Sequence, residues 1–367
     1  MVVLPSVHKS ETAASSGLTV HGVALCISIV CGPYLAYVGY LWFCLQSGVL
    51  RAAVADSGLR QVLIVGTQSS GTSQTAASLR ALGLEVQHEA SDTKWAFARD
   101  GTVSSLHGMR FFAGRPSSAA KLALCDHFTK NIGFHPAMFR DRGCSYREEW
   151  GECWRRECIA IVDGEWGCAL RTSASASGES RCETPYARQL LQTRHPLRTL
   201  ESLAAKFCLD STGSLLRVDP AFAAFASALF PPSPPSPSTS TDCIAATGAY
   251  LARYVEDMLA AHAAGALDAA YRVEDTEPCA IARHAGFLSE STAVYYGAHV
   301  AARAACTASA REAARAKSAR PKRNRRNKGR VHISFDDVRD VDAALEARLR
   351  AIARALGYDA PLGSTTV

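Results

Sequence analysis

The chain has 367 residues, room for one large domain or two small ones, and its 48% hydrophobic and 20% charged residues are globular values that exclude a chain too polar to bury a core. Its net charge of +6 does not make it a basic domain. Nine Lys and Arg fall within 315–330 with no acid among them, and the other 31 basic residues against 34 acidic ones leave −3.

From the amino end, 1–16 is polar and small and reads as a disordered tail. Gly17–Leu50 runs 34 residues without Asp, Glu, Lys or Arg. That is longer than the roughly 20 residues a membrane helix needs and too long for a signal-peptide core, so 17–50 reads as a single transmembrane segment in the lipid bilayer. Tyr34, Tyr37, Tyr40 and Trp42 crowd its second half, as at a membrane interface. Gly32-Pro33 either kinks one helix or parts two short arms. Flanking charge (Lys9 on one side, Arg51 and Arg60 on the other) is nearly balanced and leaves orientation open. Residues 51–60 read as a linker.

Gln61–Val65 is a short branched apolar run, the pattern of a buried parallel strand. Gly66–Ser73 is a glycine-bounded loop, and Thr75–Leu82 has helical spacing, with Ala76, Leu79 and Leu82 on one stripe. Leu84–Val86 reads as a second strand, ending in Gln87-His88-Glu89. Arg99–Gly108 is polar and turn-rich. Residues 125–182 form a cysteine-rich insertion, in which Ala160–Val162 with Asp163-Gly164 reads as a strand end and turn or as part of the stapled insertion. Arg171–Arg181 reads as a mobile loop.

Tyr186–Thr193 reads as a strand running into Arg194-His195-Pro196, with a helix over Leu197–Leu209. The Pro/Ser loop 231–242 cannot form a packed element. Ala245–Ala266 follows as an amphipathic helix with Leu251, Tyr254, Val255 and Met258 at helical spacing, then Ala269–Val273 as a strand. Pro278–Phe287 and Ser291–Ala310 read as helices. Beyond the basic loop 315–330, Val331–Phe335 is extended and Val338–Leu356 helical. Strands alternating with helices predict an α/β domain with a central parallel sheet over 61–367.

Of 13 cysteines, Cys26, Cys31 and Cys44 lie in the apolar segment and ten follow it. An even ten suits pairing in an oxidising compartment and favours a lumenal carboxyl-terminal domain, though the partners cannot be read. Zinc would want Cys-x2-Cys pairs, which the chain lacks, and no metal is expected.

The chemistry concentrates in two places. The loop Gly66-Thr67-Gln68-Ser69-Ser70-Gly71-Thr72-Ser73 aims backbone N–H groups and a helix start at one point, which suits a phosphate or sulfate. It has the frame of a nucleotide P-loop, but Thr72 stands where that pattern requires Lys, which argues against a kinase or NTPase. The second place is Arg194-His195-Pro196 with Ser202 eight residues after the arginine, a guanidinium fork and a hydroxyl able to meet on one anion.

Together, Ser70-Gly71-Thr72-Ser73 and the Arg194…Ser202 pair resemble the sulfotransferase family. The likeness covers roughly Gln61–Phe287, interrupted by the insertion. It implies a P-loop type three-layer sandwich behind an N-terminal transmembrane helix, and PAPS (3′-phosphoadenosine 5′-phosphosulfate) as co-substrate. By the resemblance, Gly66–Ser73 would hold the 5′-phosphosulfate and Arg194 with Ser202 the 3′-phosphate. Lys328 and Gly329, within Arg325–Arg330, are similar to a late Arg-Lys-Gly loop on the same phosphate. Arg272-Val273-Glu274-Asp275 and Pro278 are similar to the family's Tyr-Glu-Asp-Leu strand end and following Pro. Sulfuryl transfer needs a base; Glu89 is the candidate and His88 the runner-up. One position departs: the family has Lys or Arg before Ser-Gly-Thr, on the leaving-group oxygen, whereas this chain has Ser69, with Lys94 and Arg99 as candidate substitutes. The acceptor would be a hydroxyl, such as that of a glycan, in the Golgi lumen; the alternative is an inactive P-loop membrane protein that binds a nucleotide or a protein. The basic loop lacks the aromatic interleaving of a nucleic-acid surface, which with the anchor argues against nucleic acid. It suits attraction of anionic glycans or donor, anionic lipid, or plain solvation.

Overall fold

The computed structural model describes residues 59–88, 100–131, 150–174, 182, 185–208, 217–230, 242–289, 296–307 and 331–358. All belong to one compact unit, Gly58–Val367. Among them no helix is long and apolar enough to cross a membrane. The tail 1–16, the apolar segment 17–50, Glu89, Lys94, Arg99, the Pro/Ser loop up to 241 and the basic loop 315–330 lie outside the described residues.

Five parallel strands form one sheet: β1 (Arg60–Val65), β2 (Val86–His88), β3 (Gly101–Ser104), β4 (Tyr186–Thr193) and β5 (Ala269–Arg272), in the order β2-β3-β1-β4-β5. β1 is central, with Val62 opposite Gly101 of β3 and Arg188 of β4. Its branched side chains alternate between two cores. Val62 and Ile64 point to one face, Leu63 and Val65 to the other, and all four are fully buried. Burial of each contributes about 1.5–3 kcal/mol, which is why so short a run can anchor the sheet. Helices α1 (Thr72–Ala81), α8 (Pro278–His284) and α9 (Tyr296–Ala305) cover the first face. The second is covered by α2 (Ser118–Asn131), α3 (Trp150–Glu165), α5 (Pro196–Phe207), α6 (Pro220–Leu229), α7 (Cys243–Ala263), α10 (Phe335–Val341) and α11 (Ala343–Ala355), with α4 (Cys168–Ala174) beside them. The predicted α/β class with a central parallel sheet is therefore what the chain forms.

Several expectations need correction. Gly101–Ser104, read as part of a turn, is a fully buried strand next to β1. Its lack of apolar bulk has a steric cause: a Cβ at Gly101 would stand 2.2 Å from the Val62 carbonyl oxygen. Ala160–Val162 is not a strand end but lies inside α3, where Cys158, Ile161, Val162 and Glu165 form a helical stripe of buried residues. The expected loop at Arg171 begins as helix, to Ala174. The second strand is Val86–His88 rather than Leu84–Val86. The single helix expected over Val338–Leu356 is two, parted at Asp342, whose extended backbone ends α10 while its carboxylate caps Ala344 and Leu345 at the start of α11. Helices α2 and α6 and the 3-10 helix Leu106–Phe111 fall in stretches given no element from sequence.

Eight of the ten downstream cysteines pair among the described residues: Cys125–Cys158, Cys168–Cys182, Cys208–Cys243 and Cys279–Cys306. The first ties α2 to α3. The third ties the end of α5 to the start of α7.

Candidate functional site

The sheet order decides where a ligand fits. From β1 the chain travels to β2 on one side, and from β4 to β5 on the other. The carboxyl ends of β1 and β4 therefore bound the crevice at which doubly wound sheets bind their ligands. Gly66–Ser73 leaves β1 there and Arg194 leaves β4 there.

The loop is built on two unusual backbone positions. Ser69 has φ 68° and Gly71 φ 94°, both left-handed. Gly71 takes this conformation freely; Ser69 takes it at a cost that persists only where its surroundings hold it. Two groups hold it. Gln192 Nε2 of β4 donates to the Ser70 carbonyl oxygen at 2.8 Å, and Tyr271 OH of β5 donates to Gln192 Oε1 at 3.0 Å. Burial pushes the Tyr271 phenol well above its ordinary value, so it remains a donor throughout the neutral range. Gly71 also heads α1, which has no side-chain cap and no acid in its first turn. Its leading N–H groups thus open toward the loop without a side-chain cap among the described residues. The Ser70 hydroxyl is buried beside Gly66 and has no hydrogen-bond partner among the described residues. An orphaned buried donor next to uncapped helix amides fits an anion, and phosphate and sulfate are the groups of that shape.

Arg194 joins the two predicted motifs. Its Nη1 donates to the Ser69 carbonyl oxygen at 3.0 Å and to Ser202 Oγ at 3.1 Å. Burial lowers its pKa from the ordinary value, with Glu274 opposing, and a guanidinium remains a cation at neutral pH regardless. The sequence spacing of eight works because Pro196 starts α5 at once, turning Ser202 back over Arg194. Around them, Glu274 accepts from His195 N at 2.8 Å and from Tyr358 OH at 2.8 Å. Burial draws the His195 imidazole below its usual value, with Glu274 opposing. Glu201 accepts from Ile333 N at 3.3 Å and contacts His332 Nδ1 at 3.0 Å. The residues that directly follow the basic loop are thus docked one position from Ser202.

Of the two base candidates, His88 is described: its Nε2 lies 2.9 Å from Thr72 Oγ1, at the first residue of α1. Glu89, Lys328 and Gly329 lie outside the described residues. Among the described residues no group of three or more His, Cys, Asp or Glu could hold a metal ion.

No protein-family model, curated protein or solved structure matches this chain. The arrangement itself carries the functional reading.

Three residues of the site went unread in the sequence. Gln192 sits inside a strand and Tyr271 in another, where each reads as sheet. Lys206 lies on α5 with its Nζ 3.4 Å from Gln68 Oε1, and a lysine on a helix face carries no signal of its own.

Proposed function

We propose that the chain is a sulfotransferase-like P-loop protein that binds PAPS at the β1/β4 crevice and transfers its sulfuryl group to a hydroxyl, such as that of a glycan. The observation that carries this reading is Arg194 bonded at once to Ser69 of the loop and to Ser202 of α5. Two anion motifs in family order thereby meet at one crevice. When bound, PAPS supplies a sulfuryl group whose bond to the bridging phosphate oxygen breaks as the acceptor oxygen bonds to sulfur, the electron pair staying on the departing bisphosphate. Gly66–Ser73 offers donors to the 5′ end, and Arg194 and Ser202 offer a charge and a hydroxyl to the 3′-phosphate. The acceptor's proton passes to a base at the carboxyl end of β2, where Glu89 is the candidate and His88, held at Thr72, the runner-up. The apolar segment 17–50 would anchor the chain in the bilayer. Four disulfides among the described residues support a lumenal, Golgi-type placement.

Titration of the detergent-solubilised full chain with adenosine 3′,5′-bisphosphate (PAP) and with ATP tests the reading. PAP binds, ATP does not, and Arg194→Ala weakens PAP about tenfold to a hundredfold. Equal binding of ATP, or indifference to Arg194→Ala, overturns it. Transfer of labelled sulfate then separates an enzyme from a non-catalytic nucleotide-binding descendant, a second reading favoured by the uncharged Ser69. Protease protection in sealed microsomes tests the topology; digestion of the domain from outside rejects the lumenal placement.

A further inference from the structure

Ser69 leaves the loop without the cation that sulfuryl transfer calls for, and α5 supplies one from the side. Ser202 and Lys206 are four residues apart and so share a face of α5. Both ends of that face reach the loop region: Ser202 Oγ at Arg194, and Lys206 Nζ at Gln68 Oε1, 3.4 Å away. Gln68 is buried and immediately precedes Ser69. The Lys206 Nζ also stands 4.7 Å from the centroid of the Phe207 ring, and a phosphate oxygen is a stronger acceptor for an ammonium group than a neutral amide oxygen. The helix end is fixed as well, since Cys208, two residues on, is buried in a disulfide with Cys243.

We propose that Lys206 supplies the cation of the 5′ subsite, contacting the phosphate group held by Gly66–Ser73 and meeting the charge that gathers on its bridging oxygen. This rests on the phosphosulfate reading above. It gives the site two cations with separate duties: Arg194, in the turn between β4 and α5, serves the 3′-phosphate, and Lys206, near the end of α5, serves the 5′ group.

The test is calorimetric titration of the full chain with PAP and with adenosine 3′-monophosphate, which lacks the 5′ group. Lys206→Met weakens PAP about tenfold to a hundredfold and leaves the 3′-monophosphate unchanged. Lys206→Arg keeps most of the PAP affinity. Ser69→Lys added to Lys206→Met restores it, which a merely structural lysine would not allow. Wild-type PAP affinity in Lys206→Met, equal weakening of both ligands, or failure of Ser69→Lys to restore binding each overturns the assignment while the phosphosulfate reading stands. Absence of PAP binding by the wild-type chain sinks both.

Discussion

Gly66 shows how little freedom the loop has. A Cβ there would stand 2.7 Å from the Gln192 carbonyl oxygen and 2.7 Å from Ser70 Oγ. The first is backbone of a central strand and cannot retreat; the second is the orphaned hydroxyl the anion would use. Gly66→Ala therefore shifts the loop rather than the strand. We expect a loss of about 1–3 kcal/mol in urea unfolding and at least a tenfold loss of PAP affinity. Unchanged affinity would mean that the loop does not grip the ligand. At this scale the sequence is informative where geometry follows from a fixed spacing. Arg194 and Ser202 are legible because proline starts the helix between them at a set place. Gln192 and Lys206 are not legible, because their partners lie 122 and 138 positions away along the chain.

Among the elements, the outer half of the sheet departs most from the apolar rule. β1 is readable as a buried strand from its branched run, and Tyr186–Thr193 matches β4 residue for residue. β3 is not, since close approach to β1 demands Gly101 and its other residues include Thr102 and Ser104. The 3-10 helix that follows is polar inside as well. Arg110 and Glu165 form a buried bidentate ion pair, and Tyr254 OH donates to the Ser105 carbonyl oxygen at 2.7 Å. His107, with Nδ1 2.8 Å from Ser104 Oγ, is held well below the ordinary imidazole value by burial and then by Arg110. A neutral buried histidine gains a proton on unfolding once the pH falls below about 6.5. Its contribution is present above that pH and is lost as the pH falls toward the folded value. The slope is at most about 1.4 kcal/mol per pH unit for one proton. Urea midpoints at pH 7.5 and 5.5 should therefore differ more in the wild type than in His107→Gln; an equal difference would assign the acid sensitivity elsewhere.

For the molecule as a whole, the α/β class was readable because strands and helices alternate in the chain. The covalent framework was not, since ten cysteines allow too many pairings and proximity in space chooses among them. One pair has a consequence for the chain's continuity. Cys208 and Cys243 sit with Cα atoms 5.7 Å apart and flank 209–242, which includes the Pro/Ser segment and α6, whose Phe222 and Phe225 are buried in the core. The segment 231–241 joins parts that are already fastened without it. A protease site placed within it should yield two polypeptides that run as one band without reductant and as two with it, while the cut protein still binds PAP. Loss of binding on cutting would mean that the Pro/Ser segment takes part in the site. The bond makes the peptide link there dispensable, so the chain can be opened at that point, given new ends or lengthened, and remain one molecule.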